Sequence, residues 1–147
     1  MKQEYVQFMS DYESLGHMRV AEPSASAIVY HIPHHPVFKL SSTSTKLRVV
    51  FDASASSTSG LSLNDTLEVG PTVQPDLLST VLRFRTRDIA LVADIVKMYR
   101  QVRVSEEDLD LQRIFWRPSP DLPLKEYQLT TVTYGTAPAA FLATRSL

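Results

Sequence analysis

Apolar residues fall at Tyr5, Phe8, Met9, Tyr12 and Leu15 with polar residues between them, a three-and-four spacing that predicts an amphipathic helix over residues 2–15, ended by Gly16. A linker around Pro23 to Ser26 follows. Ile28-Val29-Tyr30 and Val37-Phe38 are short apolar runs separated by Pro33 and Pro36, which predicts two short strands. After a polar turn at Ser41 to Thr45, Leu47, Val49, Val50 and Phe51 come in close succession and predict a strand over Lys46 to Ala53. Ser54 to Gly60 reads as a Ser-rich loop.

In the second half, Pro75 and Asp76 open a helix through Arg85. Proline presets the first-turn backbone, and the carboxylate favours the positive helix end. Ile89 to Ala93 is short, apolar and bounded by charge, so it is expected to be a buried strand that delivers Asp94 at its C-terminal end. Met98 to Val102 should then turn helical. Ser105 followed by Glu106, Glu107 and Asp108 has the form of a capped helix start. Arg113 to Arg117 and Lys125 to Leu129 predict paired strands joined by a proline-rich loop, Pro118 to Pro123, and a last helix is expected from near Thr136 to Leu147. This order of helices and strands predicts an α+β fold.

Composition narrows the picture. A chain of 147 residues can bury roughly 70% of its unfolded surface, enough for one domain with a real core. With no cysteine, disulfides, thiolate zinc sites and a cysteine nucleophile are excluded, so any metal must be held by oxygen or imidazole. There is no 18-residue apolar run and no apolar core of signal-peptide length at the N-terminus, so the expectation is a soluble intracellular protein without a membrane partner. The formal net charge of −1 argues against a nucleic-acid binder, because phosphate contacts need Lys and Arg. The charge is uneven, however. Residues 83–147 carry ten Lys and Arg against eight Asp and Glu, with the excess around Arg83, Arg85, Arg87, Lys97, Arg100 and Arg103. Charge alone reads most simply as solvated faces.

Several ordered segments change that balance. They are Pro33-His34-His35-Pro36-Val37-Phe38-Lys39, Thr45 to Ser54, Leu61-Ser62-Leu63-Asn64-Asp65, Val69-Gly70-Pro71, Leu91 to Val102, Gln112 to Arg117, and Thr131-Val132-Thr133-Tyr134-Gly135-Thr136. Together, from about Tyr30 to Leu147, they resemble the reverse transcriptases of BEL/Pao-type LTR retrotransposons. The resemblance implies a partial right-hand polymerase, with residues 1–29 as an N-terminal helix and linker and residues 30–147 as fingers and the first half of the palm. Two departures accompany it: Pro138 precedes Ala139-Ala140 where the family usually has Ala-Pro, and Val96 stands where relatives often carry an acid.

What the resemblance implies for chemistry is template-directed nucleotidyl transfer, in which two magnesium ions about 3.5–4 Å apart stabilise the attacking and leaving oxygens; manganese is the substitute ion. Asp94 would supply a carboxylate ligand and Ile95 a main-chain carbonyl. Tyr99 would sit under the sugar of the incoming deoxynucleoside triphosphate and exclude a 2′-hydroxyl by shape. Lys46 and Arg48, alternating on one strand face, would hold the triphosphate. Tyr134 and Gly135 would let backbone approach an RNA or DNA template-primer and the nucleotide. Arg100 and Arg103 are the candidate nucleic-acid contacts. Asp52 reads as a structural partner for a basic residue. His34 and His35, whose rings point apart in an extended strand, read as fold elements.

The family also needs an Asp-Asp pair downstream, and no Asp-Asp occurs in these residues. The expectation is therefore an incomplete polymerase domain, inactive alone, whose remaining part of the polymerase would be its partner. Such a domain would expose an unpaired sheet edge and an apolar docking surface. A second reading is a non-catalytic nucleic-acid-binding module derived from a retroelement. For location the expectation is cytoplasmic, with the nucleus also open because the DNA product of such elements goes there.

Overall fold

Tyr5, Phe8, Met9 and Tyr12 line one side of helix α1 (Lys2–Ser14), and Met9 and Tyr12 are completely buried by it. Leu15, the last residue of the expected stripe, lies past the helix end and is exposed. Gly16 stops the helix with φ +73°, and the turn is closed by Gly16 N–H to Glu13 O (2.9 Å) and His17 N–H to Tyr12 O (2.9 Å). The computed structural model describes residues 2–24, 28–38 and 47–147, and its architecture is mixed α+β.

A three-stranded antiparallel sheet forms from β1 (Met18–Val20), β4 (Arg113–Trp116) and β5 (Lys125–Leu129), in the order β1-β5-β4. Its register pairs Met18 with Leu129 and Ile114 with Tyr127. The expected hairpin across Pro118 to Pro123 is present. A separate two-stranded ribbon pairs β2 (His34–Phe38) with β3 (Leu47–Phe51), His34 opposite Phe51. Ile28 to Tyr30 forms no strand of its own. Instead, residues 30–32 run parallel to β4, with Arg113 N–H donating to Tyr30 O and Ile32 N–H to Arg113 O.

The core lies where α1, the three-stranded sheet and the ribbon meet: Met9, Tyr12, Met18, Ile32, Val49, Phe51, Ala53, Leu63, Ile114, Tyr127 and Leu129. Helix α1 thus shares one core with the sheet. Beneath the sheet's polar face, Arg113, only 3% exposed, donates to Asp110, Glu126 and the Glu22 carbonyl, so a side chain that composition counts as a surface cation is an internal hub. The Asp110 carboxyl is held down at about 2 by the Ser24 hydroxyl, Arg113 and Gln128.

Helix α2 (Leu77–Arg85) starts as expected, with Asp76 accepting from Ser79 N–H at 2.9 Å, yet it buries no residue. The expected strand at Ile89 to Ala93 does not form: the segment is irregular, and Ile89, Leu91 and Val92 are 80%, 89% and 86% exposed. An apolar run becomes a buried strand only if another strand takes its backbone groups, and no described strand pairs with it. Ser105 precedes a 3-10 helix (Glu106–Gln112) without a side-chain capping bond, so the capping reading holds in position but not in chemistry. The chain closes with α3 (Ala139–Arg145).

Candidate functional site

Asp94 is exposed, on the irregular stretch that leads into a short 3-10 helix (Met98–Gln101). Lys97 makes the entry to that helix in the left-handed region, φ 54° and ψ 44°, the sole non-glycine with positive φ among the described residues. The turn is closed by Arg100 N–H to Lys97 O (2.8 Å) and by the Gln101 amide to Val96 O (3.0 Å). Beyond it, residues 102–104 lie along the end of the sheet: Val132 N–H donates to Val102 O, Val104 N–H to Thr130 O, and Arg103 bridges to Thr131. The segment is therefore anchored to the sheet at its C-terminal end and irregular and exposed at its N-terminal end, where Asp94 sits.

Arg100 is half-buried. Its guanidinium lies over the rings of Tyr12 (4.6 Å), Phe8 (5.1 Å) and Tyr134 (5.9 Å). Such a planar cation on aromatic faces is attracted by the ring quadrupoles. The guanidinium joins α1, the Asp94–Tyr99 segment and the Tyr134 turn. Arg103 remains exposed. Tyr99 is half-buried in the 3-10 turn, and Ile95 lines a groove with Met98 and Val102 against Ala143 and Leu147 of the C-terminal helix region.

Tyr134 donates its hydroxyl to Val49 O (2.8 Å) and packs edge-on against Phe51, so the turn it begins is tied to β3. Burial pushes its phenol pKa up, against the pull of Arg100. Gly135 has two separate reasons to be glycine. Its φ is +102°, and a Cβ there would stand 2.4 Å from Phe51 O. Asn64 completes the arrangement, accepting from Ala137 N–H at 2.7 Å and donating to Gly135 O at 2.9 Å. Asn64 lies within the Leu61–Asp65 segment, and nothing local signals its bond to a residue 71 positions away.

Arg48 is exposed on β3 opposite Val37, on the two-stranded ribbon. Lys46 lies outside the described residues. Among the described residues no ion pair reaches Asp52; its carboxylate accepts from Ser54 N–H at 3.1 Å and shapes the turn after β3. His34 is held from both ring nitrogens, by Tyr5 OH at Nδ1 and by Phe115 O at Nε2 (2.9 Å). This fixes the neutral tautomer with Nε2 protonated, and burial keeps its pKa below the usual value.

No protein-family model matches the chain, and no curated protein matches it. The donor set at Asp94 must therefore be weighed on its own chemistry. One exposed carboxylate and the Ile95 carbonyl offer too few oxygens for octahedral magnesium, and manganese asks much the same. Among the described residues no three His, Asp or Glu side chains converge. These donors do not make a two-ion site. No helix among the described residues is long and apolar enough to cross a membrane.

Proposed function

We propose that this chain is part of an RNA-directed DNA polymerase of the retrotransposon type, its fingers and the first portion of its palm, which does not polymerise by itself. The observation that carries the reading is the convergence of two segments far apart in sequence. Arg100, six residues after Asp94, reaches the ring of Tyr134, while Arg103 pairs with Thr131. A polymerase needs its first carboxylate segment and its template-side glycine turn beside each other, and a chain with unrelated duties has no such requirement.

The exposed apolar stretch from Leu77 to Val96 supports the same reading. A palm sheet that receives a further strand needs an apolar, unpaired segment next to Asp94, and Leu91 and Val92 have that character. The alternative of a self-sufficient nucleic-acid-binding module is weakened by the engagement of Arg100 with aromatic rings, which leaves Arg103 as the exposed cation of the pair.

The test is a primer-extension assay on poly(rA)/oligo(dT) with magnesium or manganese, run beside a binding titration of the same template-primer. Salt-dependent binding without incorporation is expected. Incorporation that follows the purified protein and vanishes in Asp94→Ala would overturn the claim of inactivity alone. Absence of binding at low salt would overturn the nucleic-acid reading itself.

A further inference from the structure

The turn at residues 133–137 is held less by its own chain than by a side chain from elsewhere. Thr136 N–H and its hydroxyl both reach Thr133 O, at 3.2 Å and 2.8 Å, and Ala139 N–H reaches Thr136 O at 3.1 Å. That leaves the Gly135 carbonyl and the Ala137 N–H, an acceptor and a donor two residues apart at the entry to α3. Pro138, the residue before α3, offers no side-chain cap. The Asn64 carboxamide takes both, and its second amide hydrogen goes to Ser54 Oγ at 2.8 Å. Only one orientation of the amide satisfies all three partners, because Ala137 can only donate and Gly135 O can only accept.

Asn64 is itself fixed before it acts. Its own N–H donates to Ala53 O at 3.0 Å, Leu63 beside it is buried in the core, and Asp65 turns back to accept from Ser62 N–H (2.8 Å) and Ser62 Oγ (2.7 Å). The clamp is therefore carried on the same β3 end whose Phe51 carbonyl passes beneath Gly135.

We propose that Asn64 is a positioning residue: its carboxamide sets the Gly135–Ala137 backbone in the one conformation that can approach a template-primer. This rests on the functional reading above, which makes that turn the nucleic-acid-facing surface. Asn64 touches no substrate and acts through the turn. A carboxamide suits the task because it presents a donor and an acceptor at fixed spacing, and a rigid partner costs less ordering when nucleic acid binds.

The chemistry supplies a discriminating variant. In Asn64→Asp the protonated carboxyl has a hydroxyl donor and a carbonyl acceptor and can reproduce the bonds to Gly135 O and Ala137 N–H. The ionised carboxylate has no donor and repels the Gly135 carbonyl. The neighbouring carboxylates, Asp52 on Ser54 N–H and Asp65 on Ser62, are common to variant and wild type, so each comparison is made at matched pH. Two quantities are read from pH 4.5 to 7.5: amide exchange at Ala137 against Leu129 in the core, and anisotropy of labelled poly(rA)/oligo(dT).

In Asn64→Ala, Ala137 protection is expected to fall at least about tenfold at every pH while Leu129 keeps its own, with template-primer affinity falling by roughly tenfold. Asn64→Asp, whose carboxyl has an ordinary pKa of about 3.9 and is mainly ionised over this range, should lose protection as Asn64→Ala does. Unchanged Ala137 protection in Asn64→Ala overturns the clamp. Lost protection with unchanged affinity overturns the positioning role and leaves the functional reading standing. An Asn64→Asp variant that keeps wild-type Ala137 protection at neutral pH also overturns the clamp, since a carboxylate has no donor for the Gly135 carbonyl. A wild-type chain that binds no template-primer overturns the functional reading and the role built on it, while the exchange data alone still decide whether Asn64 holds the turn.

Discussion

The chain contains two apolar regions of similar composition that behave in opposite ways. Around α1 and the three-stranded sheet, Met9, Tyr12, Phe51, Ile114 and Leu129 are at most 1% exposed. From Leu77 to Val96, equally apolar side chains such as Leu78, Leu82, Leu91 and Val92 face outward, and helix α2 buries none of its residues. The difference is not hydrophobicity but partnership. In the first region the strands pair with one another and α1 packs on them, whereas in the second α2 buries no residue and no described strand pairs with residues 89–93. Burial is a property of pairs of elements, and a one-element pattern cannot report it.

The sharpest way to break this comparison is to remove apolar side chains from each side. Phe51→Ala should cost about 3–5 kcal/mol in a urea melt, since it removes a ring that touches Tyr12, His34 and Tyr134. Leu91→Ser with Val92→Ser should change stability by no more than about 0.5 kcal/mol and should raise solubility. Equal losses on both sides would show that the exposed stretch has a partner in solution. Gly135→Ala comes next, at about 2–3 kcal/mol, because both its dihedral and the Phe51 carbonyl oppose a side chain.

Arg100 is where the two regions are stitched together. Arg100→Ala should cost about 1–2 kcal/mol through the lost ring contacts, and Arg100→Lys should recover part of it. If Arg100→Ala left the melt unchanged while weakening template-primer binding, the guanidinium would be a nucleic-acid contact after all. The salt dependence of binding distinguishes the two, since loss of a phosphate contact lowers the slope and loss of a brace does not.

Which of these features could be read beforehand follows the same division. The α1 stripe, the Asp76 cap and the hairpin across Pro118 to Pro123 were legible because their signals are local: a period, a cap residue, a turn-rich gap between two β-prone runs. The ribbon strand at Leu47 to Phe51 was legible too, as a dense β-branched and aromatic run. Ile89 to Ala93 was misread as a strand because an apolar run says what would be stable if covered, not whether anything covers it. The place of Arg100 over three rings carries no local signal, because a caged arginine and a solvated one look alike in a string. Asn64 carried no signal at all, for its bonds depend on a close approach that only the fold creates.

A weaker effect tests the packed side through protons. His34 is neutral in the fold, with its pKa lowered first by burial and also by neighbouring His35, against the pull of the Phe115 carbonyl. The unfolded chain therefore takes up the proton first as pH falls. Stability from this group is full above about pH 6.5 and is lost as pH drops through the lowered value. His17, lowered by burial and by Arg100 and Lys97, acts in the same direction. At the alkaline end Tyr5 and Tyr12, both pushed up to about 12 by burial, make stability fall once pH passes about 10. The melting temperature should thus be flat between roughly pH 7 and 10 and decline on either side. His34→Asn should flatten the acid limb without altering exposure of the Leu77–Val96 stretch.

The smallest effect lies at the joint between the regions. Lys97 holds a left-handed conformation that costs an ordinary residue about 1 kcal/mol, and its turn closes onto Arg100. Asn tolerates that geometry best among residues with a side chain, so Lys97→Asn should stabilise by about 0.5 kcal/mol. Lys97→Gly should come out near zero, its dihedral relief offset by the freedom it gives the unfolded chain. Lys97→Val should destabilise by about 1 kcal/mol, because β-branching is least compatible with positive φ. This ordering appears in a global melt only if the turn unfolds together with the core. If the three variants melt alike, the cooperative unit ends at Arg100, and the segment carrying Asp94 opens independently of the sheet it adjoins.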